Sequence, residues 1–110
     1  MAFAIEFDAV AQEVNHIAIE KGWWEGERNE GELIALMHSE LSEALEAIRN
    51  GNPPDDKIPE FSGVEAELAD VIIRIMDMAA AKGYRIDFCC NLFFRQQPHR
   101  PDNLWPQSYP

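Results

Sequence analysis

The stretch from Val64 to Gly83 constrains the fold more than any other. Val64, Leu68, Val71, Ile72, Ile75, Met78 and Ala79 make one apolar helical face, and Ile73 and Met76 carry apolar side chains onto other faces. A helix apolar over most of its circumference is buried on several sides. Yet Glu67, Asp70, Arg74 and Asp77 form a continuous polar stripe along it. Solvation explains such a stripe cheaply. Partial burial is different, because unpaired buried charges are very costly. Arg74 can pair with Asp70 or Asp77 at helical spacing, but it cannot neutralise three acids. A metal cation can.

Two further helices are expected before this one. Phe3, Phe7, Val10, Val14 and Ile17 form an apolar stripe over Phe3 to Lys21, with Gly22 placed to end the helix. Asn29 and Glu32 have the spacing of a capping box. The helix they open buries Leu33, Ile34, Met37, Leu41, Ala44, Leu45 and Ile48, with Glu40 at the border of that face and His38 at the opposite border. Asn50-Gly51-Asn52-Pro53-Pro54 stops it. A surface loop with three prolines follows, and Ser62 and Glu65 open the Val64–Gly83 helix. Asp87 is placed to cap a short fourth helix reaching about Gln96. The fold expected is all-α: an antiparallel bundle of three long helices plus a short C-terminal one over residues 1–96, and a Pro-rich tail over 97–110. A third helix apolar on several faces has too few partners in one such chain, so dimerisation is expected to complete the bundle.

Bulk properties narrow the function. The formal net charge of −11 argues against duplex DNA or RNA as a partner. It leaves room for a small phosphorylated ligand if divalent metals invert the local charge. With no apolar run of about 18 residues, no membrane span is expected. The first residues have no basic leader and meet acids at once, so no signal peptide is expected. Cys89 and Cys90, adjacent and the only two cysteines, make no disulfide framework, and a cytoplasmic location is the default.

Two carboxylate pairs carry the chemistry: Glu40 with Glu43, and Glu67 with Asp70. In each pair the acids stand one helical turn apart on one face. With the two helices antiparallel, Glu43 lies about seven residues from the connecting loop and Glu40 about ten; Glu67 lies about four or five in and Asp70 about seven or eight. At ~1.5 Å per residue both pairs sit roughly 6–15 Å from the loop, at overlapping heights. All-oxygen ligands suit Mg²⁺ and also Mn²⁺. Structural zinc, Glu-x-x-His di-iron and zinc-deaminase patterns are not met. The Gly22–Arg28 loop holds Trp23 and Trp24 side by side. One reading has a tryptophan plugging the open end of the bundle. The other makes it an aromatic wall for a planar ligand such as a nucleobase. Arg28 reads as a surface charge or a phosphate contact.

Glu40-x-x-Glu43, then Glu67-x-x-Asp70 followed by Val71-Ile72-Ile73, resembles the MazG-type, all-α nucleoside triphosphate pyrophosphohydrolases over about Phe3 to Asp87. The resemblance implies a homodimer or dimer of dimers and Mg²⁺-dependent cleavage of a nucleoside triphosphate, standard or modified, between the α and β phosphates. The products would be a nucleoside monophosphate and pyrophosphate, as in cleaning of the nucleotide pool. Carried over by motif, Glu40, Glu43, Glu67 and Asp70 would hold the metal, and Glu40 and Glu43 are the catalytic candidates. Trp23, Trp24, Arg28 and Arg74 are the substrate-contact candidates. Beyond Asp87 the chain departs from the family: relatives commonly carry Lys and Asn on a longer helix, then an Arg-Pro element, where this chain has Phe88-Cys89-Cys90-Asn91-Leu92-Phe93-Phe94 and, later, Arg100-Pro101. Two readings without turnover use the same residues: a helical bundle that binds a nucleotide or protein, and a purely structural domain with solvated acids.

Overall fold

The computed structural model describes residues 2–96, and the Pro-rich tail expected over 97–110 lies outside the described residues. The fold is all-helical. Four helices run in order among the described residues: α1 (Ala2–Glu20), α2 (Glu30–Arg49), α3 (Gly63–Lys82) and α4 (Ile86–Gln96). No strand occurs among these residues, only an isolated bridge between Pro54 and Ser62. None of their helices is long and apolar enough to cross a membrane.

The helix ends follow local chemistry. Asn29 caps α2 by accepting from the Glu32 N–H at 3.2 Å. Ser62 and Glu65 form the full reciprocal capping box at α3, each side chain accepting from the other's backbone N–H at 3.2 Å. At the end of α1 the Gly22 N–H bonds the Ile19 carbonyl and the Trp23 N–H bonds the Ala18 carbonyl, both at 3.0 Å. This Schellman pattern needs a left-handed residue, and Gly22 supplies φ 86°. Asp87 lies one residue inside α4 and is buried, where the sequence had placed it as a cap. It accepts from the Phe88 N–H and stands 3.5 Å from Arg85 Nε.

Helix α3 is the centre. It packs on α2 along one side and on α1 along another, while α4 packs on α1. Helices α2 and α3 run antiparallel: Tyr84 Oη, just past α3, donates to Glu30 at the start of α2 at 2.8 Å, and Gly63 lies beside Ala47 at the opposite end. The buried apolar residues are Ala4, Ala11, Ala18, Leu33, Ala44, Val71, Met78 and Ala79. On α1 the periodicity was right and the face rotated. Ala4, Ala11 and Ala18, seven residues apart, are buried, whereas Phe3, Val10 and Ile17, one residue earlier in each repeat, stay exposed. Only Phe7 and Val14 of the expected stripe are partly covered. Short side chains let two helix backbones approach closely, and the bulkier neighbours are left on the rim.

The polar stripe of α3 is partly buried. Asp77 is 3% exposed and its carboxylate accepts from Asn15 Nδ2 at 2.9 Å and from Trp24 Nε1 at 2.9 and 3.1 Å. Two neutral donors from α1 and its following loop thus satisfy this buried acid, and Arg74 pairs elsewhere. The same bonds pin the Trp23–Trp24 loop to the body of the fold. Trp24→Phe removes one donor and is expected to lower stability by about 1–3 kcal/mol, read from the urea midpoint. Trp23→Phe, which breaks no such bond, should cost clearly less; an unchanged midpoint for Trp24→Phe would refute the anchoring role.

Candidate metal centre

Glu40 occupies the position that decides the site. Along α2 the covered residues are Leu33, Leu36, Met37, Glu40, Ala44 and Ala47, the seam facing α3. Glu40 is therefore within the apolar seam, further in than its border position in the sequence pattern implied; its side chain is 13% exposed. The antiparallel register that sets Ala47 against Gly63 sets Glu40 against the first turns of α3, where Glu67 and Asp70 point back at it. One carboxylate oxygen from each of Glu40, Glu67 and Asp70 lies within 4.8 Å of the others. Glu43, more exposed, reaches hydrogen-bonding range of both Glu40 and Glu67. The structure therefore brings the four acids of the two motifs together.

Repulsion among them shows in their protonation. Burial pushes the Glu40 carboxyl up to about 8, aided by its hydrogen bond to Glu67, by the charge of Asp70 and by Glu43. At Glu67 the hydrogen bond from Glu40 favours the anion, but desolvation and the facing Glu43 and Asp70 outweigh it, and the pKa ends raised. Both carboxyls therefore hold a proton more readily than an isolated glutamate. Arg74 offsets part of the charge. Its Nε bonds Asp70 Oδ1 at 3.0 Å, while its Nη2 stands 3.6 Å from Glu40 Oε1, too far for a hydrogen bond.

The donor set fits a small hard cation. An octahedral ion at ~2.1 Å from each ligand separates its oxygens by about 3–4 Å, and the three acids stand within 4.8 Å of one another. Glu40, Glu67 and Asp70 would hold it, with Glu43 at the edge.

Beside the acids a cavity of about 810 Å³ opens between the second half of α1, the α2–α3 loop and the first half of α3. Glu67 and Asp70 line one part of it, and Trp23 another. Gly22 turns the chain so that Trp23 lies there, with the Arg74 guanidinium 5.3 Å from its ring centroid. Arg74 thus touches both the aromatic wall and the acids. Trp24 has a different place: its indole is bonded to Asp77, Arg28 lies 5.3 Å over its ring, and neither residue lines the cavity. His38 is exposed on α2 and takes no part.

Lys21 and Lys57, which the sequence patterns do not single out, also line the cavity. No short motif marks them; the only sequence signal was their rarity, two of nine basic residues in so acidic a chain. Asn15 was equally hidden, although it follows Val14 on the covered side of α1 opposite the α3 polar stripe.

No family model, curated protein or solved structure matches the chain.

The raised Glu40 pKa has a direct consequence for stability. The folded carboxyl holds its proton up to about pH 8, while the unfolded one releases it near the ordinary 4.5. Between those values the folded chain binds the extra proton, so stability falls as pH rises from about 5 to about 8 and is level on either side. The melting temperature of EDTA-treated protein should fall across this window, by an amount on the order of a few kcal/mol in stability, and Glu40→Gln should flatten the curve. A flat wild-type curve would contradict the assignment.

Proposed function

We propose that the chain is a divalent-cation-dependent nucleotide pyrophosphohydrolase, splitting a nucleoside triphosphate, standard or modified, between its α and β phosphates into a nucleoside monophosphate and pyrophosphate. The observation that carries this reading is the convergence of Glu40, Glu67 and Asp70 within 4.8 Å beside a cavity that Trp23 lines. The resemblance of the two acid motifs to the MazG-type enzymes supports the same chemistry. The cation is Mg²⁺ or Mn²⁺, which suits carboxylate oxygens; when bound it offsets phosphate charge and lowers the pKa of water.

The chain's own residues divide the remaining work. Glu40, Glu67 and Asp70 form the ligand set. Glu43, at the exposed edge and in reach of Glu40 and Glu67, orients the attacking water and takes its proton. As the new phosphorus–oxygen bond forms, the α–β anhydride bond breaks and pyrophosphate leaves with the electron pair. Trp23 offers its ring to the base. Arg74, spanning Trp23 and Asp70, keeps the base wall and the acids in fixed relation. Trp24 and Arg28 support this arrangement from behind. The role that fits is nucleotide-pool cleaning in the cytoplasm, where the exposed thiols of Cys89 and Cys90 stay reduced.

A homodimer, or a dimer of dimers, completes the fold in this reading. No large side chain among the described residues is fully buried. Ile34, Leu41, Leu45 and Ile48 form a half-exposed stripe on α2, and Leu68 and Ile72 are similarly open on α3, Ile72 at 53%. A second copy laid on these faces would supply the missing core.

Pyrophosphate release from a panel of nucleoside triphosphates should require Mg²⁺ or Mn²⁺ and stop with EDTA. Glu67→Gln and Asp70→Asn should each lower kcat/KM about 100-fold or more, and Trp23→Ala should act mainly on KM. No release across the whole panel with either metal would sink the reading. Independently, light scattering at micromolar concentration should give at least twice the chain mass, and Ile72→Glu should shift it toward the monomer; a monomeric wild type would rule out the dimer.

A further inference from the structure

The cavity has a second chemical feature besides its acids and Trp23. Eight Lys and Arg residues fall among the described residues, and Lys21, Lys57 and Arg74 all line this one space. Arg74 is engaged with Asp70. Lys21 and Lys57 make no ion pair among the described residues, although Asp55, Asp56, Glu67 and Asp70 line the same cavity. Both lysines are exposed, and in a chain of net charge −11 they bring two unpaired ammonium groups into one space with four acids.

The backbone explains how they stay unpaired. Lys21 immediately precedes the Schellman turn at Gly22, so its position is set with that of Trp23, and the carbonyl end of α1 favours a cation there. Lys57 stands on a closed loop. Asp55 turns its carboxylate back onto that loop, accepting from the Lys57 and Ile58 N–H groups at 2.9 and 3.0 Å. The Asp55 N–H bonds the Phe61 carbonyl at 2.9 Å, and the Gly63 N–H bonds the Pro53 carbonyl at 2.8 Å. The Asp55 carboxylate, two residues before Lys57, is thus occupied with backbone donors. The two lysines come from different walls, α1 and the α2–α3 loop, and share one cavity with the acids of α3.

We propose that Lys21 and Lys57 bind the polyphosphate tail of the ligand whose planar end lies on Trp23. The proposal rests on the metal centre above for its charge balance but not for the lysines themselves. Four acids and three cations line the cavity, so it carries a slight negative excess. A divalent cation on the acid cluster reverses that sign and leaves Lys21 and Lys57 free to take the phosphate oxygens furthest from the cluster. Proteins of the family that the acid motifs resemble commonly carry a lysine on a longer C-terminal helix, and α4 of this chain has none; here the α1 end and the α2–α3 loop supply the positive charge.

Calorimetric titration of the full chain with inorganic tripolyphosphate in excess Mg²⁺ tests this, using Lys21→Gln, Lys57→Gln and, as a charge-matched control away from the cavity, Arg49→Gln. Each lysine variant should weaken tripolyphosphate binding about tenfold, with the control and the melting temperature unchanged. Mg²⁺ binding alone should be the same in all four proteins. Equal tripolyphosphate affinity in the lysine variants and the control would overturn the proposal, as would a wild type that fails to bind it with or without Mg²⁺. Lysine-dependent binding in a wild type that shows no Mg²⁺ binding would uphold the subsite while removing the metal centre.

Discussion

The repulsion of carboxylates held in the α2–α3 seam governs much of this structure. An apolar side chain at Glu40 would make the seam an ordinary helix pair. With glutamate there, facing Glu67 and Asp70, the two best-packed helices meet around a group that water can no longer solvate fully. Three responses are visible. Glu40 keeps a proton far above the usual carboxylate range, Arg74 leans across from α3, and Glu43 stays at the exposed edge. None removes the excess negative charge. A fold selected only for stability would not place these acids here, since packed hydrophobic residues of similar volume do as well or better than buried charge.

Helix α1 serves the site from a distance. It packs on α3 and α4 with alanines as its buried residues, and Asn15 together with Trp24 satisfies Asp77 on the α3 polar stripe. The two adjacent tryptophans therefore divide two roles: Trp24 is a strut and Trp23 faces the cavity. A single left-handed glycine between helix and loop makes that division possible. Trp24 is bonded into the body of the fold and Trp23 lines the cavity, so the two neighbours do not share one environment.

Much of this was legible in the residues. Apolar periodicity and capping pairs located all four helices to within a few residues, because local hydrogen bonding decides those ends. The four acids were legible because helical spacing and antiparallel register are both regular. The buried face of α1 was not. Hydrophobicity points to Phe3, Val10 and Ile17, but the buried positions are Ala4, Ala11 and Ala18, whose short side chains let neighbouring helices come close. The satisfaction of Asp77 and the meeting of Lys21 with Lys57 were also out of reach, since each joins residues far apart in sequence through tertiary packing alone.

That alanine seam reverses the usual sensitivity of a protein core. Where large side chains fill a core, damage comes from deletion; between α1 and α3 it comes from addition. Any larger residue at Ala4 or Ala11 would push α1 off the helices it packs on, without altering one acid or aromatic group. The aperture of the cavity is thus set by residues with no chemistry of their own. The shape of the space that α1 walls can therefore drift through methyl-sized changes outside it.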